Sequence, residues 1–253
     1  MKIKRILISQ PEPQNDKSPF LDVATRYNLK IDFKPFIYVE GVSAKEVRAQ
    51  KIDIAAHTAV IFTSRTAIDH YFRVCEEMRF TVPETMKYFC ISESIALYLQ
   101  KYIVYRKRKI FYGDSTFKDL MTDILKHKDE KFLLMLSDIH KPEIPKALDK
   151  EKIKYTKGIF YRTVSTDLKD EVDLANYDVV VFYSPSGIKS LFTNYPDFVQ
   201  GDLRIGAFGP TTAKAVKDAG LRLDLHAPTP ESPSMANALD LFIKKFNKEN
   251  GIK

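Results

Sequence analysis

The sequence predicts an α/β protein: two similar parallel-sheet domains joined by a two-stranded connector, with a cleft between them. Three observations carry this. Short apolar, β-branched runs alternate with helical patterns along the chain, the signature of parallel sheets covered on both faces. A strand, cap and helix unit recurs, with Phe62, Ser64, Ile68 and Phe72 matching Phe182, Ser184, Ile188 and Phe192 at an offset of 120. Phe89 to Ala96 then matches Gly206 to Ala213 at nearly the same offset, so two successive units recur in order. Finally, the C-terminal half holds only about three strands of its own, few for a doubly wound sheet unless it borrows the first strand-helix-strand unit of the chain.

Taken in order, Lys4 to Ser9 is the first strand, Ser18 and Pro19 are the cap and first turn of a helix to Asn28, and Ile31 to Val39 is the second strand. Helices are expected at Ala44 to Lys51, Ser64 to Glu77, Ser92 to Lys101, Thr116 to Lys128 and Pro142 to Lys150. Strands alternate with them at Val60 to Phe62, Lys87 to Ile91, Lys109 to Tyr112, Phe132 to Leu136 and Lys154 to Thr163. The second half adds strands at Val179 to Phe182, Arg204 to Phe208 and Arg222 to His226. It closes with a helix from Ser234 to Asn247, where Met235, Leu239, Phe242, Ile243 and Phe246 share a face. With the first unit borrowed, residues 1–37 plus 164–253 form one domain and 40–158 an inserted one. The connectors near 36–40 and 158–163 alternate aromatic and β-branched residues and are expected to pair, permitting hinge motion.

With 253 residues and 44% hydrophobic content, the chain has material for two ordinary cores. Neither Cys75 nor Cys90 lies in a C-x-x-C pair, and the apolar run after Met1 is too short for a signal peptide or membrane span, so a reducing cytoplasm is expected. A net charge of +7 fits nucleic acid, an anionic membrane or a polyanionic small molecule. The one dense basic run, Tyr105 to Lys109, reads as a solvated edge or turn, and no nucleic-acid motif accompanies it. His57, His70, His127, His140 and His226 show no metal-binding spacing, and Gly206 to Gly209 is no dinucleotide fingerprint because Pro210 follows at once.

The chemistry concentrates at two helix starts. Ser184-Pro185-Ser186-Gly187 follows the strand Val179 to Phe182, and Gly209-Pro210-Thr211-Thr212 follows Arg204 to Phe208. Free N–H groups, the positive helix end and hydroxyls can converge there on an anion. Thr63-Ser64-Arg65 and Ser92 with Ser94 are the weaker first-half copies. Against this stands ordinary capping by Ser184, Ser186, Thr211 and Thr212. Arg65 in a cap turn and Arg162 in the connector are carboxylate clamps or plain surface ion-pair partners.

With Tyr161-Arg162-Thr163, Phe182-Tyr183-Ser184-Pro185-Ser186-Gly187, Phe208 to Val216 and Ala227-Pro228-Thr229-Pro230-Glu231-Ser232-Pro233 in order, the chain resembles uroporphyrinogen-III synthase over nearly its whole length. The resemblance implies that family's two-domain fold and its substrate, hydroxymethylbilane, a linear tetrapyrrole with eight carboxylates. The bilane loses its terminal hydroxyl, inverts ring D through a spiro intermediate and closes to uroporphyrinogen III, with no cofactor or metal. By the same resemblance Tyr161 assists departure of the hydroxyl. Substrate contacts then fall to Thr63, Ser64, Arg65, Ser92, Ser94, Arg162, Ser184, Ser186, Gly187, Gly209, Thr211 and Thr212. Two positions depart from the family pattern. Ser92-Glu93-Ser94-Ile95 stands for a glycine-led turn with threonine, and Ser137-Asp138 for an arginine-glycine pair, where Asp138 is expected to repel a carboxylate. A monomer acting on a small molecule, away from nucleic acid and membranes, is expected. The alternative is an inactive two-lobed module of the same fold that binds a polyanion; retained Tyr161 and an intact Gly209 to Thr212 motif favour the enzyme.

Overall fold

The computed structural model describes residues 2–14, 18–114 and 116–251; Met1, residues 15–17, residue 115 and the last two, all inside the ranges drawn above, lie outside the described residues. The chain divides into two compact units, Met1–Tyr38 with Val164–Lys253, and Val39–Thr163. No helix among the described residues is long and apolar enough to cross a membrane.

In the first unit, strands β1 (Arg5–Ile8) and β2 (Lys30–Phe33) join β9 (Val179–Phe182), β10 (Arg204–Phe208) and β11 (Leu225–Ala227) in one parallel sheet, in the order β11-β10-β9-β1-β2. The all-apolar run of β9 is explained by burial on both faces. Val179 and Val181 point to one core with Ile6 and Ile8, Val180 and Phe182 to the other with Leu7, as the period of two demands. Helices α1 (Pro19–Tyr27) and α9 (Met235–Glu249) cover the first face, α7 (Pro185–Asn194) and α8 (Pro210–Asp218) the second. Asp178 fixes the register of β1, its carboxylate accepting from the N–H groups of Lys4 (2.7 Å) and Arg5 (2.9 Å).

The second unit is a six-stranded sheet of β3 (Ile37–Gly41), β8 (Tyr155–Ser165), β7 (Phe132–Ser137), β4 (Ala59–Phe62), β5 (Lys87–Cys90) and β6 (Ile110–Tyr112), in that order. Helices α2 (Ala44–Ala49), α3 (Arg65–Glu77) and α4 (Glu93–Tyr98) pack on one face, α5 (Phe117–Lys126) and α6 (Glu143–Lys150) on the other. Both chain crossings between the units run in β3 and β8. The bonds Val42 N–H to Phe160 C=O (2.9 Å) and Thr166 N–H to Phe36 C=O (3.0 Å) show these two strands to be antiparallel.

Three boundaries differ from the sequence-based ones by three residues or more. The expected strand Ile31 to Val39 is two strands, β2 and β3, broken at Lys34-Pro35 because proline has no N–H to donate to a ladder. The helix expected from Ser92 to Lys101 ends at Tyr98 and tightens into a 3₁₀ turn, Leu99–Lys101. The strand expected from Arg222 begins only at Leu225; the N–H of Arg222 is taken by the Gln200 side chain (2.7 Å), outside the ladder. The basic run is a solvated 3₁₀ turn, Lys107–Lys109, with Arg106 paired to Glu84 at 2.9 Å.

A fragment of residues 164–253 would keep β9 to β11 and leave the β1 edge of β9 open. It is expected to be molten or insoluble, while residues 39–163 melt cooperatively with dispersed amide resonances. A cooperative melt of residues 164–253 alone would show that β1 is dispensable to that sheet.

Candidate active site

The same local geometry starts a helix after a core strand in each unit. Ser64 (φ −156°, ψ 161°) accepts from the Ala67 N–H at 3.0 Å, and Ser184 (φ −153°, ψ 155°) from the Gly187 N–H at 3.2 Å. Each serine keeps the extended conformation of its strand and covers one of the orphan donors of the first turn. The repeat read from the sequence is therefore a repeat of conformation.

In the second unit Tyr161 is the centre. A β-bulge between β7 and β8 pairs Leu136 with Ile159 but Ser137 with Tyr161, so Phe160 and Tyr161 both enter the same core. Tyr161 is only 8% exposed, and its hydroxyl lies 3.4 Å from the Ser64 Oγ. Tyr161 is thus no surface aromatic with its hydroxyl in solvent. Burial pushes the Tyr161 pKa up, with the Ser64 contact opposing, so the phenol is a protonated donor at neutral pH. His70 of α3 stacks on the Tyr161 ring, centroids 5.3 Å apart and planes 14° from parallel.

Around it, the predicted contacts sort unequally. Thr63 and Ser64 are half-buried at the end of β4, and Arg65 is exposed at the first helical position, its guanidinium 5.4 Å from the Tyr98 ring centre. Ser92 caps α4 by position only: its hydroxyl meets that of Ser94 at 3.1 Å and bonds no amide of the turn. Arg162 is not a free clamp. Its guanidinium spans Glu40 (2.7 Å) and Glu46 (2.9 Å), which together raise its pKa. Asp138 braces β8: its carboxylate accepts from Thr163 N–H (3.0 Å) and the Ser137 hydroxyl (2.8 Å). Although burial opposes ionisation, these bonds hold its pKa below the ordinary aspartate value.

In the first unit Ser184 is a cap, but Ser186 sits inside the first turn of α7, which corrects its reading as a second cap. Gly187 is buried, with its N–H engaged by Ser184; a Cβ there would lie 3.2 Å from the Phe182 ring, so the glycine serves close helix-strand packing. Neither Thr211 nor Thr212 is a cap. That position belongs to Gly209, whose φ of +86° requires glycine. Its N–H is spent on the Ala227 carbonyl at 2.6 Å. The amides of Thr211 and Thr212 form no hydrogen bond among the described residues, and Thr211 is exposed while Thr212 is buried. Two successive amides at the start of α8 are therefore open. Tyr183 and Phe208, stacked at 5.4 Å at the ends of β9 and β10, sit beside them and were not singled out from the sequence, where they read as strand ends.

Among the described residues no three His, Cys, Asp or Glu side chains gather as a metal site. Cys75 and Cys90 are buried with thiol pKa values pushed up to about 12, which keeps them unreactive.

A family model described as uroporphyrinogen-III synthase HemD matches residues 24–237. The chain is 29% identical to the uroporphyrinogen-III synthase of Saccharomyces cerevisiae over 144 residues, 51% of this chain and 52% of that protein. The match thus spans about half of the yeast protein's length. To the Chlorobaculum parvum uroporphyrinogen-III synthase it is 22% identical over 252 residues, covering 94% of this chain and 98% of the relative. In fold it is similar to the uroporphyrinogen-III synthetase of Helicobacter pylori, with TM-score 0.58, 14% identity, and 96% and 100% of the two chains covered. It is also similar to a mutant uroporphyrinogen III synthase of Thermus thermophilus, with TM-score 0.51, 15% identity, and 98% and 99% covered.

The unequal use of the serines has a stability consequence. Ser184→Ala is expected to cost about 1 kcal/mol, as for a lost helix cap, and Ser186→Ala less than about 0.5 kcal/mol. Denaturant melts of the two variants check this; equal losses would put Ser186 in the cap.

Proposed function

The chain belongs to the uroporphyrinogen-III synthase family, and from that membership we propose that it closes hydroxymethylbilane to uroporphyrinogen III with inversion of ring D. The single observation that carries the assignment of roles is the buried, protonated Tyr161 phenol held beside the Ser64 cap at the start of α3. A phenol in that state donates a hydrogen bond to the departing hydroxyl without bringing charge, and the oxygen leaves as water. The azafulvene-type cation left on ring A is attacked by the ring D carbon that already carries the bridge to ring C, giving a spiro intermediate. The old bridge bond then breaks, its carbon re-bonds at the free α-position of ring D, and the proton lost there restores aromaticity and balances the one carried off in the leaving water. Most of these steps are intrinsically easy for a bilane, so the protein's contribution is to hold a flexible polyanion in the inverting conformation.

Carboxylates of the substrate are assigned to the open N–H groups and hydroxyls of Thr211 and Thr212 at α8, and to Arg65 with the first turn of α3. Thr63, Ser92, Ser94 and Ser186 remain as supporting hydroxyls. Gly187 and Gly209 act through packing and backbone shape, and Arg162 acts by holding the connector strands. A water-eliminating ring closure makes the enzyme a lyase. Work in a reducing cytoplasm is supported by two buried, unpaired cysteines. We take the active species to be a monomer.

Supplied with freshly made hydroxymethylbilane, the protein is expected to yield type III uroporphyrinogen in excess over the type I isomer of spontaneous closure. Tyr161→Phe should lower that turnover about ten- to a hundredfold, the rate equivalent of one lost hydrogen bond of about 1.5–3 kcal/mol, with folding intact. Unchanged type III formation would remove Tyr161 from the chemistry. Thr211→Ala, at an exposed position, should weaken product binding about fivefold by calorimetry, while stability moves by less than about 0.5 kcal/mol. An unaltered affinity would mean that this hydroxyl holds no carboxylate.

A further inference from the structure

The stacking of His70 on Tyr161 is the end of a longer arrangement. Arg73, one turn further along α3, donates from Nε to the His70 Nδ1 at 3.1 Å. One terminal nitrogen of the same guanidinium donates to the Val42 carbonyl at 2.7 Å and to the Phe160 carbonyl at 3.3 Å, and the other pairs with Glu77. The guanidinium lies flat against Gly41 in β3, where a Cβ would come within 2.9 Å of the Arg73 Cζ, so a side chain there would push it out of place. Arg73 thereby grips both connector strands, including the residue immediately before Tyr161, and presents its Nε–H to the imidazole. An imidazole that accepts at Nδ1 carries its proton on Nε2 and is neutral. Burial and the neighbouring Arg73 both favour that neutral form, against Asp69 and Glu77.

The Tyr161 side chain thus has two fixed references. At its hydroxyl stands Ser64, at a loose 3.4 Å; along its face lies the imidazole. A contact of 3.4 Å is too weak to aim a phenol by itself. A parallel ring clamped by an arginine defines the plane about which the phenol can turn.

We propose that His70 is a positioning residue for Tyr161: clamped by Arg73, its imidazole is the plate that sets the plane of the phenol and so aims the hydroxyl at the leaving oxygen. The proposal rests on the reading of Tyr161 as the group that assists departure of that hydroxyl. Small errors in the placement of a reacting group are costly, and losses approaching a hundredfold follow from displacements of about 1 Å.

The test uses the full-length protein. His70→Ala is expected to lower kcat for type III formation about tenfold, with KM within about twofold, because no substrate contact is removed. His70→Phe keeps a flat ring and should restore kcat to within about threefold of the parent. In a Tyr161→Phe background, His70→Ala should bring no further fall. A readout independent of turnover comes from protein labelled with ¹³C at the tyrosine ζ carbon. The Tyr161 resonance, assigned by its loss in Tyr161→Phe, should shift or broaden in His70→Ala and return in His70→Phe. An unmoved resonance overturns the proposal whatever the kinetics. So does a rise in KM at constant kcat, which would make His70 a substrate contact, or additive losses in the double variant. A resonance that moves while Tyr161→Phe keeps full activity would overturn the catalytic reading of Tyr161, and with it the role of His70 in turnover, leaving the ring placement standing.

Discussion

The pairing of β1 with β9 is the constraint on which the architecture depends. β1 lies between β9 and β2, and without it the five-stranded sheet keeps only β9, β10 and β11 and both cores lose Ile6, Leu7 and Ile8. Since β1 opens the chain and β9 comes after Val164, everything between must be an excursion that returns. Residues 39–163 are that excursion, built as a second sheet with its own two cores. The exit and return strands, β3 and β8, pair with each other, so the point of crossing is itself hydrogen-bonded structure. Asp178, capping the first amides of β1 where the strand meets β9, holds the far end of the same constraint.

Two helix starts of one geometry have become chemically different. At α7 the Ser184 hydroxyl and the Gly187 amide satisfy each other, and the turn closes on itself. At α3 the Ser64 hydroxyl caps Ala67 and also faces a phenol. At α8 the cap is a glycine with no hydroxyl to offer, so the first amides of the helix stay open to an outside anion. The basic excess is likewise uneven in effect: Arg162 is consumed by Glu40 and Glu46, and Arg73 by Glu77 and backbone carbonyls, whereas Arg65 lies over the Tyr98 ring. Net charge alone therefore does not tell which cations are already paired.

The environment of Tyr161 joins three kinds of order. A bulge in β8 turns the residue into the core, Asp138 accepts from the Thr163 amide and donates its own to the Tyr161 carbonyl at 3.3 Å, and α3 supplies both Ser64 and His70. Burial keeps the phenol protonated, which suits a donor and would suit a base poorly.

The sequence by itself determined the alternation of elements, the repeat and the dependence of the C-terminal strands on the N-terminal one. Those rest on local quantities: β-branched runs too short for helices, a period of two in β9, serines where strands end. It also located Ser64, Ser184 and the Gly209 turn, because caps and positive-φ glycines act within three or four residues of themselves. Only the tertiary structure decided which hydroxyls are spent and which stay open, since partners such as Ala227 for Gly209, or Glu40 and Glu46 for Arg162, are remote in sequence. That Asp138 also braces β8 through Thr163 appears only once β7 and β8 lie side by side. The bulge that sends Phe160 and Tyr161 into one core leaves no mark on the alternation of residues. The place of His70 against Tyr161 follows from the packing of α3 on the sheet, a long-range contact that no local pattern encodes.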